Sequence, residues 1–160
     1  MSILKFENRT PKSLEEMYDY LINPQKTQGT KFLGIGVNPS APVEEMRFVQ
    51  EIYGREDLLH PYVQIIFSCD KNVEKSKEEL YEICMQIGQL LISDNRQVFG
   101  AIHYYGTNNI HFHYMINYVG MNGSLYRQNH HVHYYMYLAN EILKKHNLQL
   151  INIYKDPSIG

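Results

Sequence analysis

Three histidines in this chain of 160 residues have the spacing expected for one face of a β-hairpin. His111 and His113 alternate with apolar residues, so both imidazoles lie on one side of a predicted strand. A tight turn at residues 106–108 would place His103 directly across from His111, on the same face. Imidazole is the commonest protein ligand for metals, and three of them leave coordination positions open for water or substrate. The spacing therefore predicts a catalytic metal site.

The second strand of this hairpin also has an apolar face that would anchor it in the core. The alternate positions on that face are occupied by Ile110, Phe112, Tyr114, Ile116 and Tyr118. Asn117 shares the face of the histidines, where it would either orient His113 or be an ordinary polar residue of the strand. The hairpin is thus predicted to separate a buried face from a polar one.

The elements that position the histidines are a mixture of strands and helices. Besides the hairpin, the predicted strands cover residues 3–6, 31–37, 62–67, 125–126 and 148–154, and the predicted helices cover residues 13–22, 41–54, 73–93 and 129–145. Thr10 or Ser13 caps the first helix, and Ser13 with Glu16 matches a capping box. The pattern indicates an α+β fold, in which a central antiparallel sheet of about five strands has helices packed mainly on one face. The histidine face would then stay open.

Length and composition restrict the class of protein. A chain of 160 residues that is 44% apolar predicts a single domain over residues 1–160 with a substantial core. The net charge of -2 gives no overall basic field, so any contact with nucleic acid would rest on local patches. The sequence has neither an apolar run of ~20 residues nor a signal-peptide pattern. We therefore expect a cytoplasmic protein that has no membrane partner.

The segment Tyr20–Thr27, with the sequence Tyr-Leu-Ile-Asn-Pro-Gln-Lys-Thr, resembles the opening motif of conjugative relaxases. These are mobilisation nucleases of the MobA/VirD2-like kind in the HUH endonuclease superfamily. In that motif a nucleophilic tyrosine is followed by an Asn-Pro-x-Lys-Thr stretch. The resemblance implies that Tyr20 is the nucleophile, and the helical pattern agrees, because Tyr18 belongs to the apolar stripe whereas Tyr20 lies off it.

Further segments resemble the same family in the same order along the chain. His111 and His113, together with Asn117, are similar to the family's metal motif, and His103 stands where its upstream third histidine belongs. Residues 60–72 resemble the strand and turn before the long helix, and residues 123–151 resemble the closing strand, helix and strand. The resemblance thus covers nearly the whole chain.

This resemblance implies the HUH relaxase palm, which is an antiparallel sheet backed by helices. It also implies site- and strand-specific nicking of single-stranded DNA at the transfer origin of a plasmid or integrative element, through a covalent 5′-phosphotyrosine. The implied cofactor is a divalent metal, Mg or Mn, and imidazole ligands alone would equally suit Zn. Accessory relaxosome proteins are further expected partners, and no helicase or primase domain is expected in the chain.

Four more residues are candidates for DNA contacts or for the surroundings of the metal. Lys26 would steady a DNA phosphate or be an ordinary solvated lysine, and Arg127 is a candidate for a backbone contact. Asn117 and Asn109 lie close to the histidines in sequence. Asn109 is a weaker metal ligand than the histidine that many relatives have at its place.

Other functions remain open. A degenerate relaxase-like module would bind DNA or a relaxosome partner without nicking, and Tyr105 and Asn109, which replace the family's Asp and His, would suit it. Rolling-circle replication or transposition uses the same chemistry, but the Asn-Pro-Gln-Lys-Thr stretch favours mobilisation. Without the family resemblance, the histidines alone would indicate a three-histidine metal-dependent hydrolase. A second tract, His130, His131 and His133, is assigned to a helix surface or to the border of a DNA groove.

Overall fold

The helices and strands of the computed structural model follow the predicted order. The strands are β1 (Ile3–Glu7), β2 (Leu33–Ile35), β3 (Tyr62–Ser68), β4 (Val98–Tyr105) and β5 (Asn109–Asn117), and the helices are α1 (Leu14–Leu21), α2 (Pro24–Thr27), α3 (Pro42–Ile52), α4 (Lys77–Leu91) and α5 (Val132–Lys145). The structure describes residues 2–7, 12–69, 73–92, 95–105 and 109–153. The expected α+β class with a five-stranded antiparallel sheet is confirmed.

The hairpin that carries the histidines lies inside the sheet, whose strand order is β1-β3-β5-β4-β2. In its antiparallel register His103 pairs with His111, and Ala101 pairs with His113. The predicted register is therefore confirmed, and all three histidines share one face. The predicted turn at residues 106–108 lies outside the described residues. Because β5 pairs on both sides, its backbone is fixed by two hydrogen-bonded neighbours.

The apolar face of β5 forms the main core with the two longest helices, α4 and α5. Phe112 and Tyr114 have no exposed surface, and they pack in one cluster with Ile83 of α4 and Met136 of α5. The buried Tyr114 hydroxyl donates a hydrogen bond of 2.7 Å to the carbonyl of Cys84. This core holds the hairpin rigidly from behind, which is what a site on its opposite face needs.

The histidine face is only partly open, contrary to the sequence expectation. α1 and α3 bury an apolar stripe each against the part of this face formed by Phe99, Ala101 and Met115. Met17 of α1 and Met46 of α3 are almost wholly buried there. Both helices are amphipathic, and burial of their stripes stabilises them on the sheet. They enclose one side of the histidine cluster, and on the same face beside it Lys5 of β1 and Gln64 and Ile66 of β3 are half-buried.

Local signals were accurate at helix starts but not at the end of the chain. The capping box of Ser13 and Glu16 is present, whereas Thr10 lies outside the described residues. The strand expected at residues 148–154 is wrong over residues 148–153, and residue 154 lies outside the described residues. Ile151 makes one isolated bridge to Ser2, and the Asn140 side chain hydrogen-bonds both backbone groups of Ile151. The strand expected at residues 125–126 is likewise a single bridge, between Leu125 and Val119.

No helix among the described residues is long and apolar enough to cross a membrane. The two cysteines, Cys69 and Cys84, are both buried and free.

Candidate active site

The hairpin places three imidazole rings side by side on the sheet. The ring centroids of His103 and His113 are 4.3 Å apart, and those of His111 and His113 are 5.9 Å apart. His103 and His113 are 0% and 2% exposed, whereas His111 is half-buried. The cluster therefore has a closed end at His103, under α1, and an open end at His111.

Hydrogen bonds to oxygen atoms fix two of these rings. The Leu21 carbonyl can only accept, so Nε2–H of His103 donates to it, at 2.8 Å. The Nδ1 of His103 then remains as an acceptor, and the Tyr105 hydroxyl lies 3.4 Å from it. In the same way His111 Nε2 contacts Oδ1 of Asn109 at 3.2 Å and donates to it. Both nitrogens of His103 are thus engaged by protein groups.

His113 is the ring whose bonding suits a metal ion best. Its Nε2 is buried and finds no hydrogen-bond partner among the described residues. Its Nδ1 lies 3.5 Å from the side-chain amide nitrogen of Gln64, which can only donate, so Nδ1 accepts in this arrangement. Metal binding by Nε2 would require the Gln64 amide to turn, so that its oxygen accepts from Nδ1–H. An orphaned buried nitrogen is costly in a folded protein, and a metal bond would satisfy it. His113, with the neighbouring His111, therefore fits a metal in its chemistry.

A ready-made site of three ligands is not present in the described part of the chain. No group of three or more His, Cys, Asp or Glu residues there is placed to hold one metal ion. The reason lies at His103, whose two nitrogens are taken by Leu21 and Tyr105. The expected role of His103 as a third metal ligand stays a prediction, and it would require the Tyr105 hydroxyl to leave Nδ1.

Burial keeps the cluster uncharged. It lowers the pKa of His113 to about 2, with a further contribution from the neighbouring His103 and His111. Burial also lowers the pKa of His103, against the raising effect of its bond to Leu21. Burial also lowers the pKa of His111, and the neighbouring His103 and the charge of Lys26 lower it further. Neutral imidazole is the form that binds metals.

Tyr20 is carried to the histidines by the last turn of α1. Its ring centroid lies 5.3 Å from that of His103 and 5.6 Å from that of His113, both edge-on. Its hydroxyl lies 3.1 Å from the Tyr105 hydroxyl. Tyr18 points elsewhere and packs on Phe99 at 5.4 Å, as the helical stripe predicted. Of the two tyrosines, Tyr20 is the one whose ring contacts the histidine cluster.

Lys26 adds a positive charge beside the two phenols. Its Nζ lies 4.9 Å from the ring centroid of Tyr20 and 5.0 Å from that of Tyr105. It belongs to α2, which begins at Pro24 and is capped by the side chain of Asn23. The Asn-Pro pair therefore ends α1 and starts the short helix that presents the lysine, which gives the motif a structural reason.

Asn117 is not brought to the cluster, although it shares the strand face. It is 0% exposed, and its amide bonds to the Met46 carbonyl and to the side chains of Gln50 and Gln97. These contacts tie α3 to the sheet, and they leave the side chain no surface for DNA. The structure gives no support for a DNA contact of Asn117, because α3 covers that end of β5, and its expected role beside DNA or the metal stays a prediction.

Two other predicted positions also lie apart from the cluster. Arg127 is exposed in the segment between β5 and α5, which does not form part of the cluster. His131 and His133 have ring centroids 4.6 Å apart at the start of α5, which packs on the opposite face of the sheet. His131 is exposed, as expected for a helix surface, whereas His133 is half-buried and its Nε2 has no hydrogen-bond partner among the described residues.

Two neighbours of the site, Gln64 and Lys12, were not predicted from the sequence, and a third, Tyr105, was predicted only as a departure from the family. Tyr105 has the strand parity of His103, so the pattern itself places it on the same face. Gln64 could be found only from the pairing of β3 with β5, which the sequence does not give. Lys12, whose Nζ is 5.5 Å from the Tyr20 ring, has no local signal at all.

A cleft of about 440 Å³ opens at the start of α1. Lys12 lines it, and so do Arg47 of α3 and the acidic pair Glu56 and Asp57. Leu58 adds an apolar wall. Lys12 connects this cleft to the site, since its Nζ also lies 5.5 Å from the centroid of the Tyr20 ring.

Comparison with protein families agrees with this arrangement. The family model described as relaxase, MobA/VirD2-like, nuclease domain matches residues 20–148. The matched segment is more than half of the chain, begins at Tyr20 and contains Lys26 and all three histidines of the cluster. No curated protein sequence matches the chain.

Proposed function

The chain belongs to the MobA/VirD2-like relaxase nuclease family, a family of DNA-nicking domains that bind single-stranded DNA, and from this premise we propose its reaction. It nicks one strand at a transfer origin of a plasmid or integrative element, with Tyr20 as the nucleophile. The observation that carries the proposal is the position of Tyr20, whose ring contacts His103 and His113 although it comes from a separate helix.

The proposed step is a transesterification at one phosphodiester. The Tyr20 oxygen forms a bond to phosphorus, and the bond from phosphorus to the 3′ oxygen breaks. The DNA keeps a 3′-hydroxyl on one side and a 5′-phosphotyrosine on the other, and the proton lost by the phenol balances the one gained by the 3′ oxygen. One phosphoester replaces another, so no nucleotide cofactor is required, and a later 3′-hydroxyl reverses the step.

Relaxases of this kind generally use a divalent metal, and we propose Mg or Mn for this chain, with Zn as the alternative. His113 and His111 would hold it, and His103 is the expected third imidazole if Tyr105 releases it. When bound, such an ion would stabilise negative charge that develops on the non-bridging phosphate oxygens. A hard ion would complete its coordination with phosphate oxygens and water.

The strand would enter from the half-exposed side of the histidine face, where β1 and β3 are not covered by helices. Lys26 would contact a phosphate next to the one that Tyr20 attacks, and this is supported by its ammonium, which lies within 4.9 Å and 5.0 Å of the ring centroids of Tyr20 and Tyr105. A nucleotide that flanks the nick would occupy the cleft beside Lys12.

The test is formation of a covalent protein–DNA adduct. Single-stranded oligonucleotides that cover candidate transfer origins are incubated with the protein and Mn or Mg, and the products are separated on a denaturing gel. We expect a slow-migrating adduct that disappears in Tyr20→Phe and on addition of a chelator. Its 5′ end would be blocked and its partner fragment would carry a 3′-hydroxyl.

Tyr18→Phe is the matched control, because it removes a phenol hydroxyl from the same helix without touching the cluster. It should form the adduct at the wild-type rate. An adduct that persists in Tyr20→Phe and disappears in Tyr18→Phe would contradict the assignment of the nucleophile.

A second function is favoured by one observation, the absence of a converged three-ligand group among the described residues. A relaxase-like module with this site would bind single-stranded DNA, or an accessory relaxosome protein, without cutting. Tight binding of a transfer-origin strand with no adduct in either metal would favour this module over the nuclease.

A further inference from the structure

We propose that Tyr105 is a positioning residue for the nucleophile: its hydroxyl, held by His103, fixes the direction of the Tyr20 hydroxyl. Tyr105 lies at the end of β4, opposite Asn109 of β5. Its hydroxyl lies between the other two groups, 3.1 Å from the Tyr20 hydroxyl and 3.4 Å from Nδ1 of His103. The catalytic part of this proposal rests on the proposed function, whereas the positioning part does not.

The direction of each hydrogen bond follows from one carbonyl group. Nε2 of His103 must carry a hydrogen, because the Leu21 carbonyl 2.8 Å away can only accept. In the neutral ring Nδ1 then accepts, so the Tyr105 hydroxyl donates to it. The Tyr105 oxygen is left as the acceptor for Tyr20. A series of hydrogen bonds therefore runs from the Tyr20 hydroxyl through Tyr105 and His103 to the backbone of α1.

These hydrogen bonds begin and end on α1, the helix that carries the nucleophile. Leu21, whose carbonyl receives the last bond, follows Tyr20 directly in α1. The end of α1 and the phenol of Tyr20 are thus both tied to the hairpin, by His103 and by Tyr105. The orientation of Tyr20 relative to the histidines is set by bonds at two points, which removes rotation of the side chain before any substrate binds.

Tyr105 is itself held firmly enough to serve as an anchor. Its ring centroid lies 4.5 Å from that of His111, and the Lys26 ammonium lies 5.0 Å from it. Removal of the hydroxyl alone, in Tyr105→Phe, would keep both ring contacts and lose only the bonds to Tyr20 and His103. This variant therefore isolates the positioning role from packing.

His103 acquires a different role from the one its motif suggests. Its two nitrogens serve the nucleophile, one through Tyr105 and one through the backbone of α1. While both nitrogens of His103 are engaged in this way, His113 and His111 are the rings of the cluster that would hold a metal ion. This accounts for three clustered imidazoles that do not converge on one point.

The first experiment compares Tyr105→Phe with Tyr104→Phe. Tyr104 is the matched control, since its hydroxyl is bonded to Thr30 at 2.9 Å, away from the cluster. With the oligonucleotide that the wild type cuts, we expect the single-turnover rate of adduct formation to fall about 10- to 100-fold in Tyr105→Phe. The Kd for the same strand should not change, because the hydroxyl holds Tyr20 and not the DNA. Tyr104→Phe should retain both values.

A second measurement does not depend on cleavage. 3-Fluorotyrosine is incorporated at position 20 alone, and its ¹⁹F resonance is recorded without metal or DNA. We expect the resonance to shift and broaden in the Tyr105→Phe background and to remain as in the wild type with Tyr104→Phe.

The outcomes separate the two proposals. A wild-type rate and an unchanged ¹⁹F resonance in Tyr105→Phe would overturn the positioning role while leaving the nicking reaction intact. If the wild type forms no adduct with any strand, the proposed nicking fails, and the ¹⁹F comparison still decides whether Tyr105 holds Tyr20. A fall in rate that is matched by an equal loss of DNA affinity would also overturn the proposal, since it would assign Tyr105 to binding.

Discussion

At the scale of single residues, His113 has a buried ring nitrogen whose loss of hydration no hydrogen bond compensates among the described residues. It is 2% exposed, and its Nε2 has no partner among the described residues. Proteins retain such a group when something absent from the bare chain satisfies it. A divalent ion is the partner that an uncharged imidazole in this setting would accept, and His111 is the neighbour that would share it.

The corresponding prediction concerns metal affinity. His113→Ala should weaken binding of Mn by at least about tenfold, because the buried nitrogen is the best oriented donor of the cluster. Isothermal titration of the protein, first stripped with a chelator, measures this directly, and a melting curve verifies that the variant is folded. His131→Ala, at the exposed start of α5, is the control and should bind as the wild type does. Equal affinity in the two variants would place the metal elsewhere.

At the scale of elements, α3 is fastened to the sheet by a buried amide. Asn117 bonds to the Met46 carbonyl and the Gln50 side chain of α3, and to Gln97 just before β4. All of these groups would lose a partner together if the amide were removed. The buried amide therefore belongs to the stability of the scaffold, although its sequence position beside the histidines suggested the site.

Asn117→Leu tests this assignment. It should lower the free energy of unfolding by about 2 to 3 kcal/mol, since Met46, Gln50 and Gln97 would each lose a hydrogen-bond partner in a buried place. Denaturant unfolding measures the loss, with Asn129→Leu in an exposed segment as the neutral comparison. The Mn affinity of the folded fraction should not change. Wild-type stability combined with weaker metal binding would return Asn117 to the surroundings of the metal.

The elements also show which parts of the structure the sequence could supply. The hairpin register followed from a period of two in the pattern, which is local, and it placed His103 opposite His111 correctly. The capping box at Ser13 was local as well. The contact of Tyr20 with Tyr105 joins residues 85 positions apart, and it depends on where α1 lands on the sheet. No local pattern encodes that placement, so Tyr105 was noted only as a departure from the family.

The coverage of the histidine face was missed for a related reason. α1 and α3 have apolar stripes that the sequence reveals, but a stripe does not say which face of the sheet it will cover. The strand order is equally non-local, and it alone brings Gln64 of β3 within reach of His113. Packing of distant elements thus decided how open the site is.

At the scale of the whole molecule, the charge of the chain limits how it can hold DNA. With a net charge of -2, the protein has no general attraction for a polyanion, so affinity rests on a few local cations. Lys26 is the cation placed against both phenols of the site. In a protein that binds DNA through few phosphate contacts, each contact contributes a large part of the binding free energy.

We therefore expect Lys26→Gln to change how the DNA affinity depends on salt concentration. For single strands, each phosphate contact contributes about -0.7 to the slope of log K against log salt, because bound counterions are released. Removing Lys26 should make the slope shallower by about that amount and weaken binding similarly for strands of any sequence. Lys31→Gln is the control, because its ammonium lies 4.2 Å from the ring centroid of Tyr81, on the α4 side of the sheet. Fluorescence anisotropy over a salt series measures both slopes, and identical slopes for Lys26→Gln and wild type would mean that the strand does not pass this lysine.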